Sequence, residues 1–176
     1  MKQLPLDFVI QTERLRLRIP AESDIPHVFT ASQFPGFTDG MLWSPPEDIE
    51  ELRGPLDRSL EQWRESVAYH FSIDFEGELV GRIALRPSDT EGVLDIGYWT
   101  HPDHYDKGFM TEAVRAIVEL GFETMEAEAI IAETAVWNKA SQRVLEKLGF
   151  RIIDVVKDGF VKGDSVCDDI IFRLDR

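Results

Sequence analysis

The chain has 176 residues, 43% of them hydrophobic and 10% aromatic, which suits one globular domain with a sizeable core rather than a disordered segment. No apolar run approaches the ~20 residues of a membrane span, the N-terminus lacks an apolar signal-peptide core, and the single cysteine, Cys167, excludes an internal disulfide and a cysteine metal cluster. A formal net charge of −14 argues against a nucleic-acid partner, whose phosphates demand a basic face, and leaves solubility or steering of a cationic partner as its meaning. The expected compartment is the cytoplasm.

Arg14–Ile19 alternates Leu15, Leu17 and Ile19 against three arginines, a half-buried strand that Pro20 ends. Ser23 to Phe34 reads as a first helix with Pro26 in its first turn. Six of the nine prolines fall between Pro20 and Pro55, so this region is expected to be irregular. Within it, Asp48 to Ser66 carries Ile49, Leu52, Leu56, Leu60 and Trp63, a helical stretch interrupted at Gly54-Pro55 that serves either as a lid or as connecting structure. Val67–Phe75 alternates cleanly, and Glu76-Gly77 turns it into a second strand, Glu78–Arg86. A third strand, Gly92–Thr100, leads into a loop and the helix Thr111–Thr124, whose Val114, Ile117, Val118 and Gly121 share one face. A strand near Ala129–Val136, a short helix from Asn138 and a terminal strand pair, Arg151–Gly159 and Cys167–Leu174, complete the chain. The β-α-β passage from Val93 to Val136 implies a parallel or splayed pairing with a right-handed crossover.

Two stretches carry chemistry. The first is His104–Ala113, HYDKGFMTEA, where a glycine loop between strand and helix turns unpaired amides and a helix dipole toward one point, an anion site or a plain strand-to-helix turn. The second is Trp137–Phe150, WNKASQRVLEKLGF, with Asn138 as N-cap, Gly149 at the C′ position and Phe150 placed to pack back on Leu145. Lys139, Arg143 and Lys147 form a cationic row at four-residue spacing, suited to an anionic ligand or to solvent. Ser141 stands on the face of Val144, Leu145 and Leu148, where an apolar residue is expected.

Together the two stretches resemble the GNAT superfamily of N-acetyltransferases, and most closely its ribosomal-protein N-terminal acetyltransferase-like branch. There the loop commonly reads W-G-K-G-Y-M-T-E-A and the later helix N-x-x-S-x-x-x-x-E-K-x-G-F. Here those positions hold Tyr105, Asp106, Lys107, Gly108, Phe109, Met110, Thr111, Glu112 and Ala113, then Asn138, Ser141, Glu146, Lys147, Gly149 and Phe150. The resemblance spans roughly residues 11 to 174. It departs at Asp106, where a small residue is usual, which brings a negative charge near the proposed phosphates; Lys107 compensates.

The resemblance implies a single α+β GNAT domain over residues 1–176, with a mixed, mostly antiparallel twisted sheet and helices on both faces. It implies acetyl-CoA as cosubstrate, no metal, and direct transfer to a primary amine in a ternary complex; the acceptor is a protein N-terminus, a polyamine or another small cationic amine. Trp99 and Thr100 of the strand, the loop amides of Lys107, Gly108, Phe109, Met110 and Thr111, and Asn138 and Ser141 are the expected coenzyme contacts. Ser141 would also protonate or solvate the leaving thiolate. An acceptor ammonium with pKa near ~10 must lose a proton, and Asp95, before Ile96-Gly97-Tyr98-Trp99, is the expected base, with Asp168 and Asp169 as runners-up. A monomer or homodimer is expected, with neither nucleic acid nor membrane as partner. Two non-catalytic alternatives are an acyl-CoA-binding sensor and an acidic protein-interaction module.

Overall fold

The computed structural model describes residues 1–176. The chain forms eight strands, the first of them unexpected from the sequence: β1 (Val9–Gln11), β2 (Leu15–Arg18), β3 (Tyr69–Phe75), β4 (Glu78–Pro87), β5 (Val93–Thr100), β6 (Ala129–Ala135), β7 (Arg151–Lys162) and β8 (Ser165–Asp175). Four α-helices join them: α1 (Ile25–Ser32), α2 (Arg53–Arg64), α3 (Phe109–Glu119) and α4 (Lys139–Lys147). The strands form one sheet in the order β1-β2-β3-β4-β5-β6-β8-β7, antiparallel throughout except between β5 and β6. No helix is long and apolar enough to cross a membrane.

Strand parity decides the two faces. On the first, Leu17, Tyr69, Phe71, Ile73, Ile83, Leu85 and Ile96 are all but inaccessible and meet α3 through Val114 and Ile117. Gly121 lies in a single π-turn, Leu120–Thr124, that extends α3; a Cβ there would stand 2.8 Å from Ile130 Cδ1, so only glycine lets the helix end come this close to β6. Trp63, in the last turn of α2, packs edge-on against Tyr69 and Phe71 with ring centroids 4.9 Å apart.

The second face is held by charge as well as by apolar contact. Asp24, at the start of α1 and almost wholly buried, accepts from Arg18 at 2.7 and 3.1 Å, from Ser72 Oγ at 2.6 Å and from the Ala21 amide at 2.9 Å. Arg18 also bonds Asp74 at 2.6 Å. This network pins α1 to β2 and β3. Beyond it, Gln62 of α2 meets His70 of β3 at 2.8 Å.

Helix boundaries differ from the sequence expectation, the first helix running Ile25–Ser32 after a 3₁₀ turn, Glu22–Asp24, rather than Ser23 to Phe34. Gly54-Pro55 does not interrupt the second helical stretch; it falls in the first turn of α2, where a proline's missing N–H costs nothing, and a 3₁₀ turn capped by Asp48 precedes it. The third helix begins at Phe109 rather than Thr111, because Gly108, at φ +77°, is its N-cap.

The feature that makes a site is a gap. β5 and β6 pair only through Val93–Ala129, Leu94–Ile130 and Asp95–Ile131. The same register continued would set Gly97 beside Glu133 and Tyr98 beside Thr134, but the strands splay apart instead. The backbone edge of β5 beyond Asp95 therefore faces a cleft rather than a neighbour.

Candidate active site

A cavity of about 500 Å³ opens at the splay. One wall is β5 from Ile96 to Thr100, the other is Glu133 and Thr134 of β6, and the ends are closed by the loop before α3 and by α4. The loop Gly36–Met41, between α1 and α2, lines the second-face mouth. Helix α2 itself does not line it; Leu56 and Trp63 anchor that helix on the sheet.

The loop end is an array of donors. His104 and Tyr105 donate their amides to His101 O and Pro102 O, and the next bonded amide is Glu112, to Gly108 O at 3.2 Å. Every amide from Asp106 to Thr111 lies between them without a protein acceptor. Left-handed φ values of +60° at Asp106 and +77° at Gly108 curl this run into a concave nest, the backbone form that holds phosphate oxygens. Phe109 and Met110 bury their side chains in the core, so only their amides serve the cavity. The loop is braced from the turn before β2: Arg14 donates to Lys107 O at 3.1 Å, sits 4.8 Å over the Phe109 ring, and pairs with Glu112 at 2.7 Å. Glu112 also accepts from Thr12 Oγ1 at 2.6 Å.

The helix end is polar where the sequence placed a serine. Asn138 caps α4 through Oδ1, which accepts the Ser141 amide at 3.1 Å, and Phe150 N closes the C-terminus on Leu145 O. Ser141 Oγ is not satisfied by its own helix; it lies 3.0 Å from the Tyr98 hydroxyl across the cleft. Burial pushes Tyr98 up to about 12, partly offset by this bond, so the phenol remains a donor at any physiological pH. Arg143 and Lys147 of the cationic row line the cavity; Lys139 turns to Gln142 Oε1 at 3.0 Å.

Of the sequence-derived site residues, Trp99, Thr100, Gly108, Phe109, Met110, Thr111, Asn138 and Ser141 converge on this cavity. Lys107 and Asp95 do not line it. Lys107 contributes its amide to the nest and its Nζ to His104 Nδ1 at 3.3 Å. Asp95 sits on the paired part of β5, gripped by Arg86 at 2.6 and 2.7 Å, because the β4–β5 register sets those two residues opposite each other. Asp168 accepts the Asp158 amide at 3.0 Å and braces the β7–β8 hairpin.

Two carboxylates line the cavity: Asp106, in the loop of the nest, and Glu133 on β6, which sequence reasoning passed over. Partial burial raises Glu133 above the usual glutamate range, and the charges of Asp169 and Asp95 raise it further, with only Arg86 pulling back. Burial likewise raises Asp169 and Asp95. The second-face mouth is thus a place where a carboxylate takes up a proton readily. Phe37 and Trp99 stack edge-to-face beside it at 5.4 Å.

Comparison with known proteins agrees with this geometry. Residues 14–151 match the family model described as an acetyltransferase (GNAT) domain. The chain is 32% identical to a probable N-acetyltransferase, YjcK, of Bacillus subtilis, over 69% of this chain and 68% of the relative. It is 28% identical to an uncharacterized N-acetyltransferase, p20, of Bacillus licheniformis, over 94% of each chain. In fold it resembles RimL, a ribosomal L7/L12 alpha-N-protein acetyltransferase solved in complex with coenzyme A, at a TM-score of 0.87 and 18% identity, covering 96% of this chain and 98% of that one. The amide nest, the basic side chains of α4 and a buried hydroxyl without a partner, Thr134 Oγ1, fit a ligand with a diphosphate and a long polar arm. The chain belongs to the GNAT acetyltransferase family and is an acetyl-CoA-dependent N-acetyltransferase.

Proposed function

We propose that the acceptor is a cationic primary amine, a protein N-terminus, a polyamine or another small amine, delivered through the second-face mouth and deprotonated by Glu133. The observation that carries this reading is Glu133 itself, a cavity-lining carboxylate with a raised pKa and no hydrogen-bond donor or ion pair of its own. An ammonium entering between Phe37, Trp99 and Glu133 meets aromatic faces and a negative charge together. Asp95, held by Arg86, acts from a distance by making Glu133 more basic.

Acetyl-CoA supplies the acyl group as an activated thioester. The amides of Asp106 to Thr111 would receive its diphosphate, Arg143 and Lys147 its remaining negative charge, and Asn138 its pantetheine arm, while backbone donors of β5 between Ile96 and Thr100 would serve the acyl carbonyl. The Tyr98 hydroxyl lies 3.0 Å from Ser141 Oγ and 3.3 Å from Ser141 O; with the phenol as donor in this pair, the serine proton is free to point at the sulfur and stabilise it as a thiolate.

The test is thiol release with acetyl-CoA and a panel of amines, polyamines and basic peptides, run across pH. Glu133→Gln should lower kcat by ~100-fold or more and erase the acidic limb of the profile, a limb that lies above the ordinary glutamate range because the carboxyl must be deprotonated to work. Asp95→Asn should cost far less and shift that limb to lower pH, since one repelling charge is gone. A larger loss at Asp95 than at Glu133 would return the base to Asp95. No thiol release with any cationic amine would overturn the acceptor class.

A further inference from the structure

Only two buried side-chain polar atoms in the protein lack a hydrogen-bond partner, Arg82 Nε and Thr134 Oγ1. The first sits in the Asp24 ion network, with another nitrogen of the same guanidinium 3.7 Å from Asp24. The second lines the cavity. A buried hydroxyl left unpaired costs a fold free energy, so an orphan of this kind calls for a reason.

The reason lies in the splay. In the register that pairs Asp95 with Ile131, Thr134 would stand beside Tyr98. The strands have parted there, and Tyr98 has turned its hydroxyl to Ser141 across the cleft. Gln142, the other polar side chain at this end of β6, spends its amide on Ala135 O and Val136 O at 3.4 and 3.0 Å. Thr134 is 6% exposed, and whatever fills the gap between β5 and β6 is what its hydroxyl can meet.

We infer that Thr134 Oγ1 is a cofactor-binding group, donating a hydrogen bond to a carbonyl of the acyl-pantetheine arm of acetyl-CoA, and that the ligand-free protein carries it at a cost in stability. The arm offers two kinds of carbonyl, those of the pantetheine amides and that of the acetyl thioester, and each can accept a hydrogen bond from a hydroxyl.

Thr134→Val keeps the shape and removes the hydroxyl. In the ligand-free protein its melting temperature should equal or exceed that of the parent, because the unsatisfied group is gone. Its Kd for acetyl-CoA by calorimetry should rise roughly three- to tenfold, the loss of one neutral hydrogen bond. Thr134→Ser, which keeps the hydroxyl, should hold the parent affinity. Equal weakening toward coenzyme A and acetyl-CoA assigns the bond to a pantetheine amide, and weakening toward acetyl-CoA alone assigns it to the acetyl carbonyl; either supports the inference. Unchanged affinity in Thr134→Val overturns it. So does a melting temperature several degrees lower, which would mean that the hydroxyl has a partner within the protein.

Discussion

Gly108 holds a backbone angle of φ +77°, and a Cβ there would meet nothing closer than Arg14 Nη2 at 3.6 Å. The free protein thus has room for a side chain, and the penalties are conformational and ligand-borne. Gly108→Val should lose about 1–2 kcal/mol of stability to the left-handed strain and bind acetyl-CoA at least ~10-fold more weakly by calorimetry. Gly163→Val provides the control: φ is +55° in open space at the β7–β8 turn, so it should share the strain and keep the affinity. Equal weakening in both variants would attribute the effect to stability, not to the nest. Residues of this kind were legible in the sequence because their roles are local; a glycine before a helix, an asparagine cap and a serine on an apolar face each break or keep a rule within a few positions. Glu133 was not. In EAIIAETAV it is one acid of outward parity on a strand, and its place in the cavity and raised pKa come from strand splaying, Asp169 and Asp95, none of which leaves a local mark. Asp95 is the converse case: its motif position is conspicuous in the sequence, while its partner Arg86 is fixed by a hairpin register that only the folded sheet reveals.

The elements are locked together by a few buried contacts, of which the Asp24 network is the most exposed to test. Burial alone would raise the Asp24 carboxyl; the bonds from Arg18, Ser72 and the Ala21 amide overcome that and hold it below its ordinary value. A depressed folded-state pKa contributes stability above the unfolded value, and that contribution is lost as pH falls through the folded one. Asp24→Ala should therefore destabilise the protein by about 3–5 kcal/mol near neutral pH, since it leaves Arg18 and Arg82 buried with less compensation. At roughly 2–4 °C per kcal/mol for a chain of this size, the thermal midpoint should drop by about 6–20 °C. The gap from the parent should narrow only in acid, below the ordinary aspartate pKa. A change under about 1 kcal/mol would mean that α1 is held by Ile25 and Val28 alone. The sequence predicted these helices and strands in the right order, because hydrophobic period and capping are local. It left open how β5 and β6 pair, and it missed the short β1 and the full length of β7 and β8. Most of β7 is exposed and bulged against β8, so no clean alternation betrays its extent.

At the scale of the molecule the acidity is uneven. A net charge of −14 coexists with a stretch, Trp137 to Arg151, that carries four basic residues against one acid. Two of the four, Arg143 and Lys147, face the cavity. The second-face mouth lies on the acidic remainder, near Glu133, Asp95 and Asp169. The segment before and through α2 adds Glu47, Asp48, Glu50, Glu51, Asp57, Glu61 and Glu65 against three arginines, and one of those, Arg53, is already paired with Glu50 and Glu22. This segment does not line the cavity, so its influence on an incoming acceptor is long-range and open to screening. On the proposed reading, the two substrates approach through fields of opposite character. As ionic strength rises the Debye length contracts from ~10 Å at 0.1 M to ~3 Å at 1 M. The acceptor's kcat/KM should fall along that series, because the attraction that concentrates a cation at the mouth is screened. The acetyl-CoA kcat/KM should stay flat or rise, because salt screens the distant repulsion of the acidic body while the short-range contacts of the nest and α4 persist. Steady-state kinetics with each substrate varied in turn separates the two. A flat acceptor profile, or better turnover of neutral than of cationic amines, would leave the −14 as a matter of solubility and remove charge from the account of how the acceptor is chosen.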